Sequence, residues 1–244
     1  MIAVESLHRR FGEVRAVNGV SFEARDGEIT GLLGPNGAGK TSTMRMLYTL
    51  LRPDSGSIRI DGIDARADAA AARARLGVVP DSRGLYKHLS ARENIEYFGH
   101  LNGLAGDRLR QRTDALIEHL GMQDIAERRT EGFSQGQRVK TAIARALVHA
   151  PQNLILDEPG NGLDVMATRA LRAFLMQQKA EGRCVVFCSH IMQEVAAVCD
   201  RIVIIADGRV TATGTPDEIR QRAGEDNLED AFVRLIGSGE GLMA

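Results

Sequence analysis

Apolar residues along this chain follow two periods. Short, nearly continuous apolar runs at 29–33, 76–79, 154–157, 184–189 and 202–205 are separated by segments of helix length. That pattern predicts strands of a mostly parallel sheet covered on both faces. Ahead of them, residues 2–7 and 20–24 alternate apolar and polar positions, as antiparallel strands of a half-exposed sheet do. The strand signal disappears from about residue 89. Ser90-Ala91-Arg92-Glu93 fits a capping box, and apolar residues recur at helical spacing over 109–120, so an inserted helical subdomain is predicted at about 89–140. The alanine-rich stretch 67–74 predicts a surface helix. Thr215-Pro216-Asp217-Glu218 combines an N-cap, a proline at the first helical position and acids in the first turn; residues 227–236 read as a last helix, and 237–244 as a frayed tail. The expected organisation is one α/β domain over 1–225, with a mostly parallel sheet core, an antiparallel β subdomain and the α-helical insertion, followed by a helix and tail over 226–244.

The junction between the run at 29–33 and the helical pattern after it carries the first chemistry. Gly34-Pro35-Asn36-Gly37-Ala38-Gly39-Lys40-Thr41 fits G-x-x-x-x-G-K-[ST], the phosphate loop of P-loop NTPases, and Ser42 follows it. Gly34, Gly37 and Gly39 are expected to take positive φ and let backbone N–H groups approach the phosphates. Lys40 adds a cation, Thr41 a hydroxyl for Mg²⁺, and the helix beginning there its positive dipole end. A nucleotide-handling P-loop NTPase (RecA-like) core is therefore expected. The second element is 154–159, an apolar run entering Asp157, Glu158 and Pro159. Neighbours on a strand point to opposite faces, which lets the acids divide their roles. Asp157 is placed to hold hydrated Mg²⁺, and Glu158 to align and deprotonate the attacking water.

Composition narrows the setting. The chain has 244 residues, 43% of them hydrophobic, enough for a large α/β core. Its 31 basic and 32 acidic side chains are interspersed and leave a net charge of −1, so no electrostatic footprint for nucleic acid or anionic lipid stands out. No apolar stretch approaches the roughly 18 residues of a membrane span, and the first residues lack a basic leader with an apolar core. A cytoplasmic chain is expected. Cys184 and Cys188, four apart on a predicted strand, lie about 13 Å from each other and cannot bridge; with Cys199 they are expected to be buried, reduced thiols.

A third element, Phe133-Ser134-Gln135-Gly136-Gln137, opens a predicted helix about twenty residues ahead of Asp157. Ser134 as N-cap and Gln137 as its capping-box partner leave a helix end that suits an anion. With Phe11, the phosphate loop, the Asp157-Glu158 pair, Gly162-Leu163-Asp164 and His190 in order, the segment resembles the signature of ATP-binding cassette proteins, and the resemblance covers nearly the whole chain. It implies an ATPase subunit that drives export through separate membrane permease subunits, lies on the cytoplasmic face of the membrane, and uses ATP and Mg²⁺. It also implies a dimer, most simply of two identical chains, in which each nucleotide is clamped between one phosphate loop and the partner's Ser134, Gln135, Gly136 and Gln137. Phe11 would stack on adenine, a buried core phenylalanine being the competing reading. His190 would hydrogen-bond the γ-phosphate, and Asp164 would lie at the subunit seam or serve as an N-cap.

Three departures from the family pattern stand out. Asp81 replaces the usual glutamine after the run at 76–79 and could reach Mg²⁺, but it cannot donate as an amide does. Gln135 stands where glycine is usual, and Gly160 where threonine or serine is common. The segment Asp81-Ser82-Arg83-Gly84-Leu85-Tyr86, with Leu85 and Tyr86 as candidate permease contacts, and 164–169 resemble the branch serving exporters of sodium ions or drugs. The rival reading is an ATP-dependent dimerising switch or regulatory scaffold without transport.

Overall fold

The computed structural model describes residues 1–237; the last seven positions, which hold most of the predicted tail, lie outside the described residues. Two sheets share the chain. The first has the order β2-β1-β4-β5 and is antiparallel throughout: β1 (Ile2–Phe11), β2 (Val14–Ala24), β4 (Ser55–Ile60) and β5 (Ile63–Asp64). The second has the order β10-β9-β3-β8-β7-β6. In it β3 (Ile29–Leu33), β6 (Leu76–Val79), β7 (Asn153–Asp157), β8 (Cys184–Cys188) and β9 (Arg201–Ala206) are parallel, and β10 (Arg209–Gly214) closes one edge antiparallel.

The second sheet is a wall between two cores, which explains its unbroken apolar runs. Alternate side chains leave by opposite faces: Val185 and Phe187 of β8 enter one cluster, while Cys184, Val186 and Cys188 enter the other. The three thiols are free and buried, and burial pushes each thiol upward from its ordinary pKa.

On one side of this wall lies the helical subdomain. It comprises α3 (Ala91–Leu101), α4 (Gly106–His119) and α5 (Gln135–Leu147), the last running past the expected boundary at 140. The predicted capping boxes at Ser90 and Ser134 are both present. Other elements are α1 (Lys40–Leu47), α2 (Ala69–Ala74), α6 (Val165–Ala180), α7 (Met192–Val198), α8 (Pro216–Ala223) and α9 (Leu228–Ile236). Thr215 caps α8 as expected, and Asn227, read as the first residue of the last helix, is instead the N-cap of α9.

Several expectations are corrected. The first two strands are longer than their alternating stretches, because bulges near Ser6 and Arg9 break the period of two on β1 while pairing continues to Phe11. Phe11 therefore ends β1, three residues ahead of β2. The segments β4, β5 and β10 were not expected: β5 has only two residues, and β10 reads Arg209-Val210-Thr211-Ala212-Thr213-Gly214, too polar to register as a run.

Candidate functional site

The carboxyl ends of β3, β7 and β8 open onto one cleft of about 380 Å³. This is where the doubly wound sheet leaves a crevice between helices. The loop after β3 supplies one wall through Asn36, Gly37, Gly39, Lys40, Thr41 and Ser42. Gly37 and Gly39 have φ of 80° and 99°, as expected of a loop that turns its amides inward. Gly34 does not take positive φ. It is glycine because a Cβ there would lie 2.2 Å from the Ile205 carbonyl oxygen, so the requirement is close backbone approach. Gly34 and Ala38 are buried beneath the loop and Pro35 lies outside the cleft lining.

Lys40 is 8% exposed and folds back onto the loop: its Nζ donates to the carbonyls of Gly34 at 2.6 Å and Pro35 at 2.9 Å. The ammonium is thus held at the cleft before any anion arrives. Gly39 caps α1 with no side chain, which leaves first-turn amides free for a ligand.

The acids form the opposite wall. Asp157 closes β7 and is 3% exposed. Glu158 has left the strand with φ of 49°, so the opposite-face expectation does not hold; both carboxylates line the same cleft, with Asp81 beside them. Burial, then the neighbouring charges of Asp81 and Glu158, push the Asp157 carboxyl up to about 6. A buried acid beside two others suits a hard cation held by one or two carboxylates and substrate oxygens, which is how Mg²⁺ is usually bound. The donor set of Thr41, Asp157 and Asp81 fits it.

The same crowding yields a prediction. The folded pKa of Asp157 lies above its reference value of 3.8, so the ionised form burdens the ligand-free fold. That burden is complete above about pH 6, shrinks as pH falls through the folded value, and is gone below about pH 4. Asp157→Asn should raise the melting temperature of the metal-free protein by roughly 6–12 °C at pH 8, for about 3 kcal/mol. The gap should close toward pH 4. Differential scanning fluorimetry across that range checks it, and a variant that melts lower than wild type at pH 8 would contradict it.

Glu158 does not stand alone. His190, two residues beyond β8, places Nδ1 2.8 Å from Glu158 Oε2. A carboxylate can only accept, so Nδ1 carries the proton. The Glu158 side chain is 17% exposed and that of His190 53%, which leaves the imidazole reachable from the cleft mouth. The Glu158 amide also donates to the Cys188 carbonyl at 3.0 Å, pinning the turn to β8.

Other predicted residues lie elsewhere. Phe11 is 47% exposed, which removes the core reading; the Arg9 guanidinium lies 4.9 Å from its ring centroid, and Phe11 is outside the cleft lining. Ser134, Gln135, Gly136 and Gln137 open α5 away from their own chain's cleft, with Ser134 and Gln135 exposed. Asp164 caps α6, accepting from the Ala167 amide at 2.8 Å. Leu85 is half-buried against the core, so it is less accessible than expected, whereas Tyr86 is 47% exposed and meets Tyr97 edge to face.

Sequence reasoning missed Ala16 and Asn161, which line the cleft, and the pair Arg83 and Arg145. Arg145 of α5 is 5% exposed. It donates to the carbonyls of Gly84 at 2.7 Å and Arg83 at 2.6 Å and lies over the Phe98 ring, and burial lowers its pKa to about 10. An arginine inside an otherwise apolar helix face was the available signal.

Known proteins resemble this chain over nearly its whole length. The sequence profile described as ABC transporter matches residues 17–161. The chain is 39% identical to the ABC transporter ATP-binding protein NatA of Bacillus subtilis (strain 168), over 98% of this chain and 99% of that protein. It is 36% identical to the linearmycin resistance ATP-binding protein LnrL of the same organism, over 98% and 76% of the two chains. It is 35% identical to the daunorubicin resistance ATP-binding protein DrrA3 of Streptomyces coeruleorubidus, over 97% and 74%. A solved structure of the ATP-binding subunit of an ABC transporter superposes with a TM-score of 0.88 at 30% identity, covering 96% of this chain and 99% of that one. A dimeric ATP-binding cassette solved in a post-hydrolysis state with ADP and Pi shares the fold, at a TM-score of 0.78 and 24% identity over 88% and 98% of the chains.

Proposed function

The chain belongs to the ABC transporter family as an ATP-binding subunit, and on that premise we propose that it hydrolyses Mg-ATP to drive export through separate membrane-embedded permease subunits. The observation that carries the reading is the single cleft in which the phosphate loop, Asp157 and the Glu158–His190 pair converge. No helix among the described residues is long and apolar enough to cross a membrane, so any conduction path would belong to partners, with this chain bound to them on the cytoplasmic face. The resistance proteins among the relatives favour a drug-like cargo over sodium ions.

Within this reading, the amides of the phosphate loop and Lys40 neutralise and orient the β- and γ-phosphates. Thr41, Asp157 and Asp81 would hold Mg²⁺, which would supply charge to offset that of the triphosphate. Glu158 accepts a hydrogen bond from the attacking water and takes its proton. With Nδ1 already donating to Glu158, His190 reaches a γ-phosphate oxygen through Nε2, and it can donate there only as imidazolium. Ser134, Gln135, Gly136 and Gln137 complete the site of a second copy through the amino-terminal end of α5.

The rival, a dimerising switch, differs in one measurable respect. Purified chain supplied with ATP and Mg²⁺ should release phosphate steadily, and EDTA should reduce release to background. Nucleotide binding without metal-dependent release would leave the switch standing and remove the hydrolytic reading.

A further inference from the structure

Arg83 joins two segments that the proposed reaction uses at different nucleotides. It sits in the loop that leaves β6, at φ of 56°, and its main chain is fixed by Arg145, whose guanidinium holds the carbonyls of Arg83 and Gly84. From that anchor the Arg83 side chain reaches back. Nη1 donates to Gln135 Oε1 at 2.9 Å, and Nη2 donates to the Asn161 carbonyl at 2.8 Å and the Pro159 carbonyl at 3.4 Å. Among the described residues Arg83 has no carboxylate partner within ion-pair distance. Its charge is spent on one amide oxygen and two main-chain oxygens, a set whose strength depends on direction.

The two ends of this connection matter. Gln135 opens α5, the helix whose end would face a second copy's nucleotide. Pro159 and Asn161 belong to the turn carrying Glu158, which the Asn161 amide closes by donating to the Glu158 carbonyl at 3.2 Å. Asn161 also lines the chain's own cleft. The guanidinium is a planar fork, so a shift of about 1 Å between α5 and that turn would lengthen these bonds beyond useful geometry. The helix end and the Glu158 turn must therefore move together.

We propose, resting on the hydrolytic reading above, that Arg83 is a positioning residue that sets Glu158 in a chain's own site according to the engagement of that chain's α5 with the partner's nucleotide. Gln135, unusual at its position, is the other half of the device. It gives Arg83 a side-chain acceptor that glycine would lack. Arg83 touches neither nucleotide in this role; it makes the two sites of a dimer respond to one another.

The test is a double-mutant cycle on the full chain, reading steady-state hydrolysis and equilibrium ATP binding. Wild type should show a sigmoidal dependence of rate on ATP; Arg83→Ala should weaken it and lower kcat on the order of tenfold, while ATP affinity measured without turnover stays about as in wild type. Gln135→Ala should lower kcat likewise, with no affinity reading asked of it because Gln135 also faces the partner's nucleotide, and the double variant should be no worse than the poorer single one. Arg83→Lys should fail to rescue, since one ammonium cannot span the three acceptors. Should Arg83→Ala not fold, Arg83→Gln carries the same readings. Unchanged kcat, losses that multiply in the double variant, or a loss of affinity matching the loss of rate would each overturn the proposal. Wild-type chain that releases no phosphate removes the hydrolytic reading itself; active wild type with an unimpaired Arg83→Ala removes only the positioning role.

Discussion

Glu158→Gln is expected to stop steady-state phosphate release, lowering it by on the order of a thousandfold, while ATP still binds. The substitution keeps shape and hydrogen-bond reach: the new amide oxygen can accept from His190 Nδ1, which now lies 2.8 Å from the carboxylate. What disappears is the proton acceptor, since an amide takes up no proton near neutral pH. The phosphate loop and Lys40 are untouched, so the variant should hold ATP and accumulate as a closed dimer on a sizing column with light scattering. The same variant in EDTA should remain monomeric if closure needs the neutralised triphosphate. A turnover within a few-fold of wild type would mean that Glu158 is not the base, and the role would have to pass to another group facing the cleft.

Most of the cleft was legible because its parts are short, local devices. A phosphate loop is a run of eight residues between a strand and a helix, and a capping box is four; their geometry depends on neighbours in sequence, and they appear in the structure where the residues predict them. What was not legible depends on contacts distant in sequence. Gly34 is required by the backbone of β9, 171 residues further on. Ala16 reaches the cleft only because β2 folds over the loop, bringing its carbonyl to where a Cβ on Gly39 would lie. The polar strands β4, β5 and β10 owe their state to pairing partners and not to their own composition.

The departures from the family pattern have a similar explanation. Gly160, where threonine or serine is common, would place a Cβ 2.7 Å from Glu194 Oε2, and Glu194 is 6% exposed and hydrogen-bonded to the Ser189 hydroxyl. The space a larger residue would fill is already occupied from α7. Gln135 likewise is matched by Arg83 at 2.9 Å. Both look like defects when each position is read alone. In three dimensions each is one member of a pair, and the other member lies in a different segment of chain. Asp81 fits the same logic, since it joins Asp157 and Glu158 around one cleft and raises the Asp157 pKa.

The proposed dimeric arrangement leads to the largest effect expected of any mixture. Lys40→Ala removes the ammonium held over the loop by the Gly34 and Pro35 carbonyls, and this variant alone should lose nucleotide-dependent turnover to background. Ser134→Arg replaces an exposed N-cap with a bulky side chain at the helix end meant for the partner's phosphate, and it too should be inactive. Mixed at equal concentration and allowed to exchange, the two inactive proteins should regain hydrolysis. One site of each mixed dimer pairs the intact phosphate loop of the Ser134→Arg chain with the intact α5 end of the Lys40→Ala chain. The ceiling is about a quarter of wild-type activity if the sites act independently, and it falls lower if both must fire together. A site contained in one chain predicts no recovery at any ratio, because every chain in the mixture carries a lesion. Activity equal to the average of the two parents would thus exclude a composite site whose two copies act independently.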